Sequence, residues 1–307
     1  MSTTVLAEGV HVRFGDVHAL AGVGVAVEAG STLGVLGHNG AGKTTLMRVL
    51  TTLIRPTAGR VFIDGVDVMT DADLVRRRIG VTGQYAGLDE FLTGRENLEL
   101  VARLSGLGSN ARVRADDLVT RLDLAEIADR RVGTLSGGSR RRIDLAISLV
   151  AAPSVLFLDE PTTGLDPIAR AALWDVVGDL NATGTSVVLT TQYLEEADRL
   201  ADEIIVLDHG RVAAHGTPND LKHLVGGKVV TATVPVEQLT RLSRRPDESD
   251  PITRTSTRIS YSTDDSDTAA ALVAQLAYDG VAIDDLGIAS PTLDDVFTHL
   301  TMQGVRS

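Results

Sequence analysis

The sequence contains no cysteine. That absence excludes a disulfide framework, a zinc–thiolate site, an iron–sulfur cluster and a thiol nucleophile. The chain has 307 residues, which is enough for two domains. A chain of this length can bury a full hydrophobic core, so it needs no covalent cross-link for stability.

Basic residues are also scarce. The sequence has 29 lysines and arginines against 41 aspartates and glutamates, a formal net charge of −12 and a pI near 5.0. Only Lys43, Lys222 and Lys228 are lysines. A general nucleic-acid binder needs a basic surface to displace counterions from phosphates, so we expect no nucleic acid partner.

Long apolar segments are missing as well. The most apolar stretch, residues 143–158, is interrupted by Asp144, Ser148 and Pro153, and it falls short of the roughly 18 uncharged residues that a spanning helix needs. The first nine residues lack the basic start and apolar segment of an export signal. We therefore expect a chain that does not cross a membrane by itself and that resides in the cytoplasm.

Short β-branched runs alternate with longer helical patterns over the first two thirds of the chain. Strands are predicted at residues 31–36, 155–158, 186–189 and 203–207, and this alternation is typical of a parallel sheet in an α/β fold. A helical pattern interrupts it between about residues 93 and 151. Its start is a predicted capping box, in which Thr93 and Glu96 bond each other's backbone amides.

The sequence changes character after about residue 225. Residues 241–251 are polar, contain Pro246 and Pro251, and are typical of a loop or linker. A strand (252–262), a helix (268–278), a second strand (281–288) and a short helix (292–300) are predicted beyond it. We therefore predict a first domain at residues 1–225, with its helical subdomain at about 85–152. A small α+β appendage follows at residues 226–307, and its residues indicate no chemistry.

The glycine-rich segment at residues 37–44 matches the phosphate-binding pattern G-x-x-x-x-G-K-[ST] at every fixed position. Glycines let successive amides point at a phosphate, and the following helix adds its positive N-terminal end. Lys43 then lies between the β- and γ-phosphates, and the Thr44 hydroxyl is a Mg²⁺ ligand. The predicted nucleotide-binding residues of this loop are Gly37, His38, Asn39, Gly40, Ala41, Gly42, Lys43, Thr44 and Thr45. No lysine follows an asparagine, so the guanine-binding motif Asn-Lys-x-Asp is absent, which excludes the common GTPases.

Two carboxylates end the predicted strand at residues 155–158. Asp159 would hold Mg²⁺, directly or through water, and Glu160 would polarise the attacking water. A buried strand that ends in a charged turn is common. Here, however, two carboxylates follow the apolar strand in a chain that also has a phosphate-binding loop. This combination favours a catalytic role over a simple charged turn.

Three arginines and a helical pattern follow a short serine- and glycine-rich segment, which consists of Leu135, Ser136, Gly137, Gly138 and Ser139. Here the sequence closely resembles the ATP-binding subunits of ABC transporters, over roughly residues 4–220. The resemblance implies a P-loop ATPase fold, a parallel-core sheet with an inserted helical subdomain, in which residues 1–225 form the ATP-binding domain. It also implies that Ser136, Gly137 and Gly138 cap the γ-phosphate of ATP held by a second copy arranged head to tail.

The resemblance assigns further roles. Phe14 would stack on adenine, Gln84 would touch Mg²⁺ and face a membrane subunit, and Asp166 would lie in the D-loop. Gln192 occupies the catalytic switch position, which is usually histidine in the family. Because an amide cannot take up a proton, the proton-accepting role would fall to Glu160. Ser139 replaces the usual glutamine of the signature motif, which we expect to matter little.

Three further segments narrow the resemblance to drug-exporter ATPases of the daunorubicin/doxorubicin-resistance type, which pair with a separate membrane permease. These segments are residues 81–85, 190–193 and 291–297. The predicted function is therefore ATP hydrolysis that drives efflux of a drug or other hydrophobic compound, at the cytoplasmic face of the membrane. A non-transport ABC ATPase and an ATP-dependent regulator remain as alternatives.

Some residues near these motifs also have simpler interpretations. The triplets Arg76–Arg78 and Arg140–Arg142 are interpreted as solvated faces or ion-pair partners, with docking to a partner subunit as the alternative. Phe14 could belong to the core. The His38 side chain is interpreted as exposed rather than as a ligand.

Overall fold

The computed structural model describes residues 2–83, 87–225, 227–243, 246, 248–249, 256–263 and 266–304, with the backbone only for 248–249 and 299–304. The chain divides into two compact units, Met1–His215 and Gly216–Ser307. The first unit thus ends before residue 225, the predicted end of the first domain. A short helix over Pro218–His223 belongs to the second unit, where a capping box of Thr217 and Asp220 begins it.

The first unit combines two sheets with helices. Its strands are β1 (Thr3–Phe14), β2 (Val17–Glu28), β3 (Thr32–Leu36), β4 (Ala58–Ile63), β5 (Val66–Asp67), β6 (Ile79–Thr82), β7 (Val155–Asp159), β8 (Ser186–Thr191), β9 (Glu203–Asp208) and β10 (Arg211–Gly216). Its helices are α1 (Lys43–Leu50), α2 (Ala72–Arg76), α3 (Gly94–Leu104), α4 (Ala111–Arg121), α5 (Ala125–Ala128), α6 (Gly137–Ser148), α7 (Pro167–Ala182) and α8 (Leu194–Leu200).

The larger sheet has the strand order β10-β9-β3-β8-β7-β6, and its five strands from β9 to β6 pair in parallel. The four strands predicted from sequence are β3, β7, β8 and β9. All five residues of β3 are buried, as expected where helices or a second sheet cover both faces of a parallel strand. The predicted α/β fold with a parallel core is confirmed.

The smaller sheet is antiparallel, has the order β2-β1-β4-β5 and was not predicted. It packs on one face of the parallel sheet, and α3 to α7 cover the other. Strand β7 shows this division because its residues alternate between two hydrophobic clusters. Val155 and Phe157 join the cluster of the antiparallel sheet and α1, whereas Leu156 and Leu158 join the helical cluster. The carboxyl end of β7 emerges between the two.

The second unit is α+β, as predicted. It comprises α9 (Pro218–His223), β11 (Lys228–Pro235), β12 (Glu248–Ser249), β13 (Ser256–Thr263), α10 (Ser266–Tyr278), β14 (Asp285–Ala289) and α11 (Leu293–Gly304). The strands form an antiparallel sheet of order β12-β13-β11-β14. Residues 252–255 of the predicted strand 252–262 lie outside the described residues. In the described part of the chain, no helix is long and apolar enough to cross a membrane.

The capping box predicted at the start of the helical region is present at α3. The Thr93 hydroxyl accepts from the Glu96 amide at 3.2 Å, and the Glu96 carboxylate accepts from the Thr93 amide at 2.8 Å. The Thr93 amide and the Thr93 hydroxyl both donate to the Glu96 carboxylate, and these bonds hold the pKa of Glu96 below its usual range.

Thr93→Ala removes the hydroxyl acceptor and leaves a first-turn amide of α3 without its cap. We expect the free energy of unfolding to fall by about 1 kcal/mol, the usual cost of losing an N-cap. Urea unfolding measures it, with Thr93→Ser as the control because serine keeps the hydroxyl. Equal stability of the alanine and serine variants would contradict this role.

Candidate active site

The loop between β3 and α1 needs glycine at two points. Gly37 has φ 154°, and a Cβ there would lie 2.5 Å from the carbonyl oxygen of Leu207. Gly42 has φ 112°, and its Cβ would lie 2.8 Å from the carbonyl oxygen of Ala19. Only glycine therefore lets this loop approach its neighbours so closely and still begin the helix at Lys43.

Lys43 is buried at the first position of α1. Its Nζ donates to the carbonyl oxygens of Gly37, at 2.7 Å, and His38, at 3.3 Å. The same Nζ lies 3.9 Å from Glu160 Oε1. Burial lowers the pKa of Lys43, and the charges of Glu160 and Asp159 oppose that shift. The ammonium thus closes the glycine-rich loop and links it to the carboxylates after β7.

The two carboxylates depend on Thr190 of the neighbouring strand β8. The Thr190 hydroxyl donates to Asp159 Oδ1 at 2.6 Å, and the Glu160 amide donates to both the hydroxyl and the carbonyl oxygen of Thr190, at 3.0 and 3.1 Å. Glu160 itself has a left-handed backbone with φ 50°, an unfavourable conformation for a residue with a Cβ. Thr190 is fully buried, and sequence reasoning did not find it because it lies within an apolar, β-branched strand.

A cavity of about 580 Å³ brings half of the predicted residues together. It lies at the carboxyl edge of the parallel sheet, where ligands of open α/β sheets bind. The predicted residues that line it are His38, Asn39, Gly40, Gly42, Lys43, Thr44, Thr45, Glu160 and Gln192. A cation, a hydroxyl, a carboxylate and an amide therefore share one cavity.

The other predicted residues that the structure describes do not line this cavity. They are Phe14, Gly37, Ala41, Ser136, Gly137, Gly138, Asp159 and Asp166. Gly37 and Ala41 are buried in the loop that forms the cavity wall. Gln84 lies outside the described residues.

The signature and D-loop residues begin two helices instead. The Ser136 hydroxyl caps α6 by accepting from the Ser139 amide at 3.2 Å, and it donates to the Ser139 hydroxyl at 3.0 Å. Asp166 caps α7 by accepting from the Ala169 amide at 2.9 Å. Ser136 and Gly137 are exposed. The N-terminal end of α6 therefore faces outward, where another molecule can reach its amides.

Phe14 ends β1 with 54% of its surface exposed, so the core interpretation of this residue is wrong. The following turn leads into β2, whose residues Val17, His18 and Ala19 line the cavity. An exposed ring beside that wall is available for stacking on a flat base.

The oxygen donors at this edge suit Mg²⁺. Thr44 offers a hydroxyl in the cavity, and Asp159 is a carboxylate at the end of β7 with Oδ1 already bonded to Thr190. Mg²⁺ prefers such hard oxygen ligands and retains several waters. The donor set therefore fits this ion.

Arg141 is a buried residue whose role the sequence did not reveal. Its guanidinium donates to the carbonyl oxygens of Pro161 at 2.8 Å, of Gly83 at 2.6 Å, and of Asp159 and Glu160 at 3.3 Å. Only 12% of its side chain is exposed. Arg141 is thus neither a solvated residue nor a docking residue, and it ties α6 to the backbone of the carboxylate turn.

Asp144, one turn later on α6, lies 3.4 Å from Arg141. Burial raises the pKa of Asp144 to about 6, while Arg141 and a hydrogen bond from the Gly87 amide oppose the shift. Arg141 therefore bonds Gly83 and Asp144 bonds Gly87, the two residues on either side of 84–86.

Sequence comparisons with known proteins identify relatives of both units of the chain. Residues 20–163 match the ABC transporter family model, and residues 216–301 match the C-terminal domain of DrrA1-3-like ATP-binding proteins. The daunorubicin resistance ATP-binding protein DrrA2 of Streptomyces coeruleorubidus is 49% identical over 97% of this chain and 94% of its own. The daunorubicin/doxorubicin resistance ATP-binding protein DrrA of Streptomyces peucetius is 44% identical over 94% of this chain and 89% of its own.

A solved structure shares the architecture of the first unit. It is a dimeric ATP-binding cassette in a post-hydrolysis state bound to ADP and Pi, with a TM-score of 0.62 and 28% identity over 69% of this chain and 98% of that one.

Arg141→Ala leaves Asp144 buried without its partner and removes a donor from four carbonyl groups. We expect the free energy of unfolding at pH 8 to fall by about 3–5 kcal/mol, the cost of breaking a buried ion pair from one side. Arg140→Ala is the control, because Arg140 is only half-buried and lies 3.5 Å from an exposed Glu90; its loss should be about 1 kcal/mol or less.

The difference between the two variants should shrink as the pH falls from 8 toward about 6, because loss of Arg141 leaves the pKa of Asp144 above the value of about 6 that it has beside the guanidinium. The pKa of Asp144 is higher in the folded chain than in the unfolded one, so protonation at lower pH favours the folded state and removes the uncompensated charge. Chemical denaturation at pH 8 and pH 5.5 measures this. A pH-independent loss, or equal losses for both arginines, would contradict the role of Arg141.

Proposed function

This chain belongs to the ABC transporter family, and we propose that it powers efflux of daunorubicin-like or other hydrophobic compounds through a separate membrane permease. It is an ABC-type ATPase subunit of an exporter. The observation that carries the proposal is the shared cavity of Lys43, Thr44 and Glu160 at the carboxyl edge of the parallel sheet.

We assign nucleotide binding to the glycine-rich loop. Its amides and the N-terminal end of α1 favour a phosphate chain, and Lys43 can exchange its bonds to Gly37 and His38 for bonds to β- and γ-phosphate oxygens. Phe14 is assigned to adenine stacking. Thr44 and Asp159 would hold Mg²⁺, with Gln84 as a further contact from outside the described residues. The metal would supply positive charge that neutralises the phosphate oxygens.

Glu160 is the proposed general base. Its side chain lines the cavity, and Thr190 fixes its strained backbone at one side while Arg141 bonds its carbonyl oxygen at the other. A carboxylate can accept the proton of an attacking water, whereas the amide of Gln192 can only donate to or accept from the γ-phosphate region. This division gives Glu160 the proton transfer and Gln192 a positioning role.

The signature residues are assigned to a second copy's nucleotide. Ser136, Gly137 and Gly138 begin α6 at the surface, and Asp166 begins α7 beside them, with Ala169 of α7 2.8 Å from the place of a Cβ on Gly138. Exposed amides at a helix N-terminus bind anions. In a head-to-tail dimer, each site would join the glycine-rich loop of one copy to Ser136–Gly138 of the other. The dimeric solved relative supports this assembly.

The names of the relatives support the proposed class of exported compound. Two relatives that align with nearly all of this chain are named for resistance to daunorubicin and doxorubicin. We also propose that the chain lies on the cytoplasmic face of the membrane, bound peripherally to a permease.

Glu160→Gln preserves the size and hydrogen bonding of the side chain but removes the proton acceptor. We expect the rate of phosphate release to fall by about 10²- to 10⁴-fold, the usual contribution of general-base catalysis. ATP affinity should persist because the glycine-rich loop and Lys43 are unchanged. Phosphate release and equilibrium ATP binding of the purified protein measure the two quantities.

Glu126→Gln, in an exposed position of α5, is the matched control and should retain the turnover of the unmodified chain. Cells that carry Glu160→Gln in place of the natural chain should accumulate daunorubicin, which is followed by its fluorescence. Unchanged turnover would remove Glu160 from the mechanism. Reduced turnover of the Glu160→Gln protein together with unchanged daunorubicin accumulation in the cells would separate the ATPase from drug export.

A further inference from the structure

Two histidines and an aspartate meet at the rim of the nucleotide cavity. His38 belongs to the glycine-rich loop, Asp208 ends β9, and His209 begins the turn to β10. Their ligand atoms all lie within 4.8 Å of one another. His38 Nε2 is 3.0 Å from Asp208 Oδ1, and His209 Nε2 is 3.8 Å from the same oxygen. None of these contacts is used by the proposed ATPase mechanism.

The hydrogen bonds of His38 point to a cation at this place. Its Nδ1 lies 2.8 Å from the carbonyl oxygen of Asn39, which can only accept, so Nδ1 carries a proton. In the neutral ring Nε2 then has a lone pair, and that lone pair faces a carboxylate oxygen. Two acceptors at 3.0 Å repel each other unless a proton or a metal ion lies between or beside them.

Such a ring is already arranged as a metal ligand. Metal-binding histidines usually donate their other ring N–H to a carbonyl or carboxylate group, which fixes the tautomer and the ring orientation. The Nδ1 bond to Asn39 supplies this support for His38.

The turn that carries the other two ligands is fixed to the glycine-rich loop. The Gly210 amide donates to the carbonyl oxygen of Ala41 at 2.9 Å, and the Ala21 amide donates to the carbonyl oxygen of Gly210 at 2.8 Å. His209 adopts a left-handed backbone with φ 44°. These bonds hold His209 so that its ring lies 5.4 Å from that of His38, edge to face. Backbone contacts therefore bring the three side chains together.

We propose that His38, Asp208 and His209 form a site for a divalent transition metal ion of the zinc type, separate from the Mg²⁺ ligands. Imidazole nitrogens suit Zn²⁺ and related ions, whereas Mg²⁺ prefers oxygen donors. Two imidazoles and one carboxylate leave a fourth tetrahedral position for water or an anion. Because His38 and His209 also line the nucleotide cavity, a bound ion would connect the glycine-rich loop to the β9–β10 turn at the cavity wall.

The test is a calorimetric titration of the tag-free, full-length protein with Zn²⁺ in the absence of nucleotide. Excess Mg²⁺ is present so that it occupies any site built from oxygen ligands alone. We expect the unmodified chain to bind one ion at this site. His209→Ala and Asp208→Asn should each weaken the affinity at least about tenfold, since even the loss of an outer partner of a metal ligand costs that much.

His215→Ala is the matched control. His215 Nε2 lies 2.9 Å from Glu203 Oε2 on the same pair of strands, so it is a histidine–carboxylate pair of similar exposure. Among the described residues, no third ligand joins that pair. This variant should bind Zn²⁺ as the unmodified chain does.

Co²⁺ gives a second readout, because a tetrahedral nitrogen–oxygen site produces a visible absorption band that His38→Ala should abolish. Absence of Zn²⁺ binding by the unmodified chain, or equal affinity in the His209, Asp208 and His215 variants, would overturn the proposal. Neither measurement depends on ATP turnover. A negative result would therefore overturn the metal site without contradicting the proposed ATPase function.

Discussion

The buried ammonium of Lys43 is the constraint around which the site is arranged. A charge removed from water needs nearby acceptors or opposite charges. The loop carbonyls of Gly37 and His38 supply the acceptors, and Glu160 supplies charge at 3.9 Å. The loop can turn its carbonyls inward only because Gly37 has no Cβ against Leu207. The glycine pattern, the lysine and the carboxylate turn after β7 thus form one electrostatic unit.

Helix α6 connects this unit to the surface that is assigned to a second copy. Its first residues present Ser136 and free amides outward, while Arg141 on the same helix bonds the carbonyl oxygens of Asp159, Glu160 and Pro161. Helix α6 therefore joins the exposed signature residues to the backbone that carries Glu160. In the proposed head-to-tail dimer, Arg141 would thus lie between the surface assigned to one nucleotide and the proposed base at the other.

Local patterns allowed much of the fold to be predicted. The glycine-rich loop, the four parallel strands and the Thr93 capping box each have a signal within a few residues. The antiparallel sheet was not predicted: register shifts interrupt the alternation of β1, but the alternating buried residues Val23, Val25 and Val27 of β2 were a usable strand signal. Nine residues that line the cavity were predicted by motif, whereas Val17, His18, Ala19, His209 and Gly210 carry no such signal.

Long-range partners explain the other omissions. The three arginines 140–142 are equivalent in sequence, and only the tertiary packing shows that the middle one is buried against the carboxylate turn. His38 and Asp208 are 170 residues apart, so their contact depends on the adjacent strands β3 and β9. Thr190 is one threonine among several in the chain until β7 lies beside it.

The most direct test of the account is an ATP-dependent disulfide cross-link between two copies. Because the natural chain has no cysteine, Asn39→Cys and Ser136→Cys each introduce a single thiol, at exposed positions of the glycine-rich loop and the signature. A mixture of the two variants should form a disulfide-linked dimer under mild oxidation with ATP and Mg²⁺, but little with ADP. Asn39→Cys mixed with Glu126→Cys should not cross-link in either state. Cross-linking that is absent with ATP, or that is equal with ATP and ADP, would contradict the composite site.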